Sequence, residues 1–171
     1  MIKLKNKKGD GVFGMSFTMI FSIILIVVFI LVAFMGIRSF LNFQKAAQLN
    51  MLANDLQRDI DEAWNAGESS TIFKGNLPAG VEYICFINWN NSTFNSNAIE
   101  KNIFQEIRLK GITASDNFYI YAPNKNYALK SKQIKHIDLN TKNPNCMKVI
   151  NNKVSIKITK TFDNPLVVVS E

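Results

Sequence analysis

One histidine and two cysteines in 171 residues leave little material for catalysis. His136 is the lone imidazole, no serine stands in a nucleophile elbow, and no glycine loop of the phosphate-cradling or dinucleotide type occurs. The length holds one ordinary domain beside other elements and excludes a multidomain enzyme. Proline is absent before Pro78, so nothing breaks a helix in the first 77 residues. Charge is absent across residues 12–37, a run of 26 without acid, base, proline or histidine. Arginine is scarce where a nucleic-acid reader would need it: residues 71–171 contain twelve lysines and only Arg108, lacking the guanidinium forks that read bases. Tyr119, Tyr121 and Tyr127 beside Lys125 and Lys130 could stack on bases or sugars, but aromatic residues on strands usually pack. No specific nucleic-acid partner is expected.

The uncharged run would reach about 39 Å as a helix, and a hydrocarbon core about 30 Å thick needs only ~20 apolar residues. A buried core helix would carry a polar stripe, whereas this segment has only Ser16, Thr18 and Ser22. A cleavable secretory signal would have a shorter apolar region and a small-x-small site, which the residues after Ile30 do not offer. Residues 12–37 are therefore expected to cross the lipid bilayer. Lys3, Lys5, Lys7 and Lys8 precede the run against Asp10 alone, so the leader of residues 1–11 is expected in the cytoplasm and the remainder outside. Gly14, Thr18 and Ser22 recur at every fourth position, a small-residue stripe suited to helix packing in the membrane.

Beyond the run, residues 38–67 continue the helix with an amphipathic pattern. Leu49, Leu52, Leu56, Ile60 and Trp64 share one face and are expected to pack on the chain's own C-terminal domain, the seam being too short for a coiled coil. Asp55, Arg58, Asp59, Asp61 and Glu62 occupy the other side, and Gly67 is a plausible stop. Residues 46–70 carry a net charge of −4 and residues 71–171 a net charge of +6, which favours docking within a molecule or between neighbours, or marks two solvated surfaces.

Residues 71–171 read as an extracytoplasmic β-rich domain. Strands are expected over residues 81–87, 118–122, 134–139 and 166–169, with a terminal hairpin turning at Asn151-Asn152 between residues 147–150 and the alternating Val154, Ile156 and Ile158. Residues 98–110 read as a helix. The fold class is α+β: a long N-terminal helix and a small antiparallel β-rich domain. Cys85 and Cys146 are expected to form a disulfide if that domain lies in an oxidising compartment. Asn90 and Asn91 head overlapping glycosylation acceptors. His136 and Asp138 would share one side of a strand, and His136 is most simply a surface or edge-strand histidine. Cys85, Cys146, His136 and Asp138 have the chemistry of metal ligands but no close ligand pair, so neither metal nor cofactor is expected.

A basic leader ending in Lys7-Lys8-Gly9, a long apolar helix, an amphipathic extension and a C-terminal β domain together resemble a type IV pilin or pseudopilin, particularly the archaeal pilin-like proteins with class III signal peptides. The resemblance covers roughly residues 5–66. It implies processing by a prepilin peptidase, with Gly9 before the cut and Gly11 and Gly14 as alternatives, and association with itself or other pilin-like subunits in a non-catalytic surface filament or pseudopilus. Bacterial members carry a glutamate five residues into the mature chain; here no acid lies from Gly11 to Ile37, and Asp10 and Gly11 separate the cut from the apolar run. That difference fits an archaeal variant or an uncleaved anchor. The alternative reading is a single-pass anchored extracytoplasmic binding module, or an accessory subunit of a membrane complex.

Overall fold

The computed structural model describes residues 17–93, 95–109, 115–125 and 131–171. The leader, Gly9, Gly11, Gly14, Tyr127 and Lys130 lie outside the described residues. The chain divides into two units, Met1–Asn42 and Phe43–Glu171. Helix α1 runs Phe17–Asn65 and contributes to both. No proline interrupts it, and it stops where Gly67 adopts the left-handed conformation, φ 76°, that side-chain-bearing residues avoid.

In the first unit every described side chain of α1 from Thr18 onward is exposed, and nearly all are apolar. This segment is long and apolar enough to cross a membrane.

In the second unit, α1 packs into a β domain. Strands β1 (Ser69–Asn76), β7 (Lys153–Lys160), β8 (Val167–Ser170) and β5 (Ile137–Asp138) form one sheet in the order β1-β7-β8-β5. Strands β4 (Ser131–Lys132), β3 (Phe118–Tyr121), β2 (Tyr83–Phe86) and β6 (Asn145–Lys148) form the other, ordered β4-β3-β2-β6. Pairing is antiparallel except between β5 and β8. The β6–β7 connection turns through Asn151 and Asn152, both at positive φ (53° and 59°), closed by reciprocal bonds between Ile150 and Lys153. Asparagine tolerates this conformation, and its twist matches the flanking strands.

Alternation places Phe73, Val154, Ile156, Ile158, Val167 and Val169 of the first sheet, and Ile84, Phe86, Phe118, Ile120 and Met147 of the second, in one core. Leu49, Leu52, Ala53, Leu56, Ile60 and Ala63 of α1 fill the same core. The opposite face of the second sheet, with Cys85, Tyr119 and Cys146, is covered by helix α2 (Ala98–Leu109) through Ile103, Phe104 and Ile107. The fold is thus α+β, a long N-terminal helix followed by a small domain of mainly antiparallel strands.

Two strands escape the sequence pattern. β1 follows directly on the helix stop, in a stretch where no strand was expected, and pairs with β7 along all eight of its residues. Its Ser-Ser-Thr-Ile-Phe-Lys-Gly-Asn sequence has only Phe73 and Gly75 buried, too few for alternation to register. β4 is two residues long and is made by its neighbour β3.

Candidate interaction surfaces

Cys85 and Cys146 occupy directly opposed positions on β2 and β6 and are joined by a disulfide, S–S 2.05 Å. Both are buried under α2. The amide of Cys146 points outward from the edge strand β6 toward Glu100 Oε1 at 3.4 Å. Glu100 is buried on α2 and occupied from three sides: Lys142 Nζ reaches Oε1 at 2.5 Å, and the Asn97 amide donates to Oε2 at 2.8 Å. Asn97 Oδ1 in return accepts from the Glu100 amide at 2.9 Å, a capping box that starts the helix. One carboxylate therefore caps α2, pairs a lysine and shields a sheet edge.

Asn143 is fully buried and acts as a clamp. Its Oδ1 accepts from the Asn88 amide at 2.9 Å, and its Nδ2 donates to the carbonyls of Asn88, Asn91 and Ser92. The clamped loop carries Asn90 and Asn91, both exposed. The two asparagines expected to head glycosylation acceptors thus sit on a held, solvent-facing turn. Grooves of about 340 and 510 Å³ flank it, sharing Trp89 and Asn90.

His136 differs from its expected place. It precedes β5 at φ 63°, outside the strand, and does not face Asp138. Its Nδ1 lies 2.9 Å from Asp61 Oδ1 on α1, and its ring stacks on Trp64 at 4.0 Å between centroids and 4° between planes. Asp138 instead accepts from the Asn140 amide and Asn164 Nδ2. Trp64 is not a core residue like the four apolar residues before it: it remains 39% exposed and donates through Nε1 to the Pro165 carbonyl at 3.0 Å. The helix turn that ends at Trp64 is thereby tied to two loops of the β domain. Gln57 adds a third tie, accepting from the Lys135 amide at 2.8 Å, and Lys132 Nζ reaches Asn54 Oδ1. The set of two cysteines, His136 and Asp138 weighed as metal ligands is not assembled: the sulfurs are bonded to each other and the imidazole to Asp61.

Tyr119 and Tyr121 are engaged inside the domain. Tyr119 is buried, its hydroxyl donates to the Asp116 carbonyl at 2.7 Å, and burial raises its phenol above the ordinary value, with the Asp116 charge adding to it and the Trp89 hydrogen bond opposing. The Tyr121 hydroxyl donates to Glu106 at 3.0 Å; burial first, then that bond and the charges of Glu106 and Glu82, push it up to about 12. In the first unit, the Ser22 hydroxyl donates to the Thr18 carbonyl at 2.8 Å, and the Arg38 guanidinium lies 4.4 Å above the Phe34 ring.

Two charged faces remain. On β1 and β7 the residues that alternate with the core, Ile72, Lys74, Lys153 and Lys157 among them, form the outer face of the sheet. On α1 the side away from the core presents Met51, Asp55, Arg58, Asp59 and Glu62. Arg58 pairs with Asp55 at 3.0 Å and with Asp59 at 3.5 Å. Among the described residues no lysine of the sheets forms a salt bridge with a carboxylate of α1. No family model, curated protein or solved structure matches this chain.

Proposed function

We propose that the chain is a membrane-anchored, pilin-like structural subunit of an extracellular filament or pseudopilus, without catalytic activity. One observation carries the reading: along a single helix, the apolar side chains of residues 19–43 are all exposed, whereas Leu49, Leu52, Leu56 and Ile60 are buried in the chain's own domain. At roughly 25 cal/mol per Å² of apolar surface, a stretch of this length cannot remain in water. Lipid can cover it in a single chain, and identical helices can replace the lipid when chains assemble. The amphipathic half has no such need, since its domain already covers it.

The four leader lysines set the N-terminus in the cytoplasm and the β domain outside, where the Cys85–Cys146 bridge is chemically at home. Partners on this reading are the bilayer, other copies or related pilin-like subunits, and a prepilin peptidase that cuts after Gly9. The uncharged stretch from Gly11 to Ile37 favours a second reading, an uncleaved single-pass anchor that presents the domain as a binding module or accessory subunit.

The mature N-terminal peptide, read by mass spectrometry, separates the two. A chain that begins at Asp10, Val12 or Met15 is the expected result. An intact Met1 in cells with an active prepilin peptidase would sink the pilin reading and leave the anchored module. A reporter fused after Glu171 is expected to be active only outside the cytoplasm.

A further inference from the structure

The chain carries two faces of opposite charge that it does not use against each other. The outer face of β1 and β7 presents Lys74, Lys153 and Lys157 around Ile72, which is 61% exposed and directly opposite Lys157 in the register. Glu171, at the chain end, is the acid that borders this patch. The solvent side of α1 presents Met51, 65% exposed, among Asp55, Asp59 and Glu62, with Arg58 as the lone base. Each face therefore carries an exposed apolar side chain alongside charged ones, and the charges are opposite. The sheet itself separates them: Phe73 and Ile156 point inward toward α1 while Ile72 and Lys157 point away. No rotation of side chains can bring the two faces together within one molecule.

We infer that these faces dock on one another between copies, the acidic side of α1 in one chain against the lysine face of β1 and β7 in the next. This deepens the filament reading and rests on its premise that copies associate. Because the two faces are different surfaces, the contact is heterologous: each chain retains a free acidic face and a free basic face after pairing. Repetition then yields an open line of subunits, whereas a two-fold contact would stop at a dimer. Opposite charges steer the encounter and fix the register, and the apolar pair Met51 and Ile72 supplies the desolvated centre.

The test uses the full chain in native membranes, with Met51→Cys and Ile72→Cys combined and a short bismaleimide as the probe; the native cysteines are already bonded. A ladder of dimers, trimers and higher species is expected from the double variant, monomer from either single variant, and dimer alone from a mixture of the two. Reversal of one face, Asp55→Lys with Glu62→Lys, is expected to cut the ladder at least tenfold. Reversal of the other as well, Lys74→Glu with Lys153→Glu and Lys157→Glu, is expected to restore it. Raised salt should weaken the ladder in the native charge pattern. Dimers from Met51→Cys alone would overturn the head-to-tail contact. So would binding of phosphatidylglycerol vesicles through the three lysines with no ladder formed. Filaments are scored separately by sedimentation and electron microscopy. Filaments without the cross-link overturn this surface and leave the filament reading intact; a ladder without filaments does the reverse, and the absence of both overturns the two together.

Discussion

Asn143 and Glu100, both buried, hold loops and a helix end of the β domain through directed hydrogen bonds rather than through area. Asn143 gives four bonds to one loop from a position with no exposure, so its truncation strands three carbonyls and an amide. Asn143→Ala is expected to cost about 2–4 kcal/mol, read from denaturant unfolding, and to open residues 88–92 to protease. A loss below about 1 kcal/mol would mean that the loop holds itself. Asn143 does not stand out in the sequence, since sixteen asparagines of the domain look alike until a partner is known. His136 shows the same limit. Its neighbour Asp138 is visible in the sequence, but the carboxylate it meets is Asp61, 75 positions away on another element. Tyr121 gives a second prediction at this scale. Its phenol is raised to about 12, so the folded chain holds that proton more tightly than the unfolded chain. The resulting stability is complete below about pH 10 and fades as pH rises toward 12. Tyr121→Phe should flatten that part of the alkaline fall in urea midpoint; an unchanged slope would place the loss on other groups.

Element by element, legibility follows periodicity. The second half of α1, from Leu49 to Trp64, and β7 repeat their apolar residues at 3.6 and 2.0, and both can be read directly. The Asn151-Asn152 turn is legible for a different reason, because two consecutive asparagines suit two consecutive positive φ values. β1 has no such signal, as its strand character comes from pairing with β7 and from the closeness of α1 at Gly75. A Cβ on Gly75 would lie 2.6 Å from Leu52 Cδ1 and 3.0 Å from Phe73 Cε1. Gly75→Ala is therefore expected to destabilise by about 1–3 kcal/mol, through overpacking between helix and edge strand. The helix seam can be tested in the same way. Leu56→Ala removes a side chain buried in the chain's own core and should cost about 2–5 kcal/mol, while Met51→Ala on the solvent side should stay within about 0.5 kcal/mol. Equal costs at both positions in a dispersed, detergent-solubilised chain would point to a helix seam shared between chains.

At the scale of the whole molecule, the net charge of +7 separates into a basic leader, an acidic helix and a basic domain. Only the first of these concerns topology, and topology decides the fate of the one covalent link in the domain. Cys85 and Cys146 are 61 positions apart, and their bond closes a loop that includes α2, β3, β4 and β5. In the chain-entropy model a loop of that size contributes about 4 kcal/mol by restricting the unfolded state. Reduction of the full chain in detergent is expected to lower the melting temperature of the β domain by roughly 10–20 °C. The drop should be larger than that from Met51→Ala and comparable to that from Cys85→Ser with Cys146→Ser. The double variant retains the β2–β6 ladder and the buried face of α2, so it is expected to fold and to melt early rather than to remain unfolded. The same bond reports orientation in cells. A chain whose domain has left the cytoplasm should migrate differently on non-reducing and reducing gels. A chain retained in a reducing cytoplasm should migrate identically on both, and that result from native membranes would reverse the orientation proposed from the leader lysines.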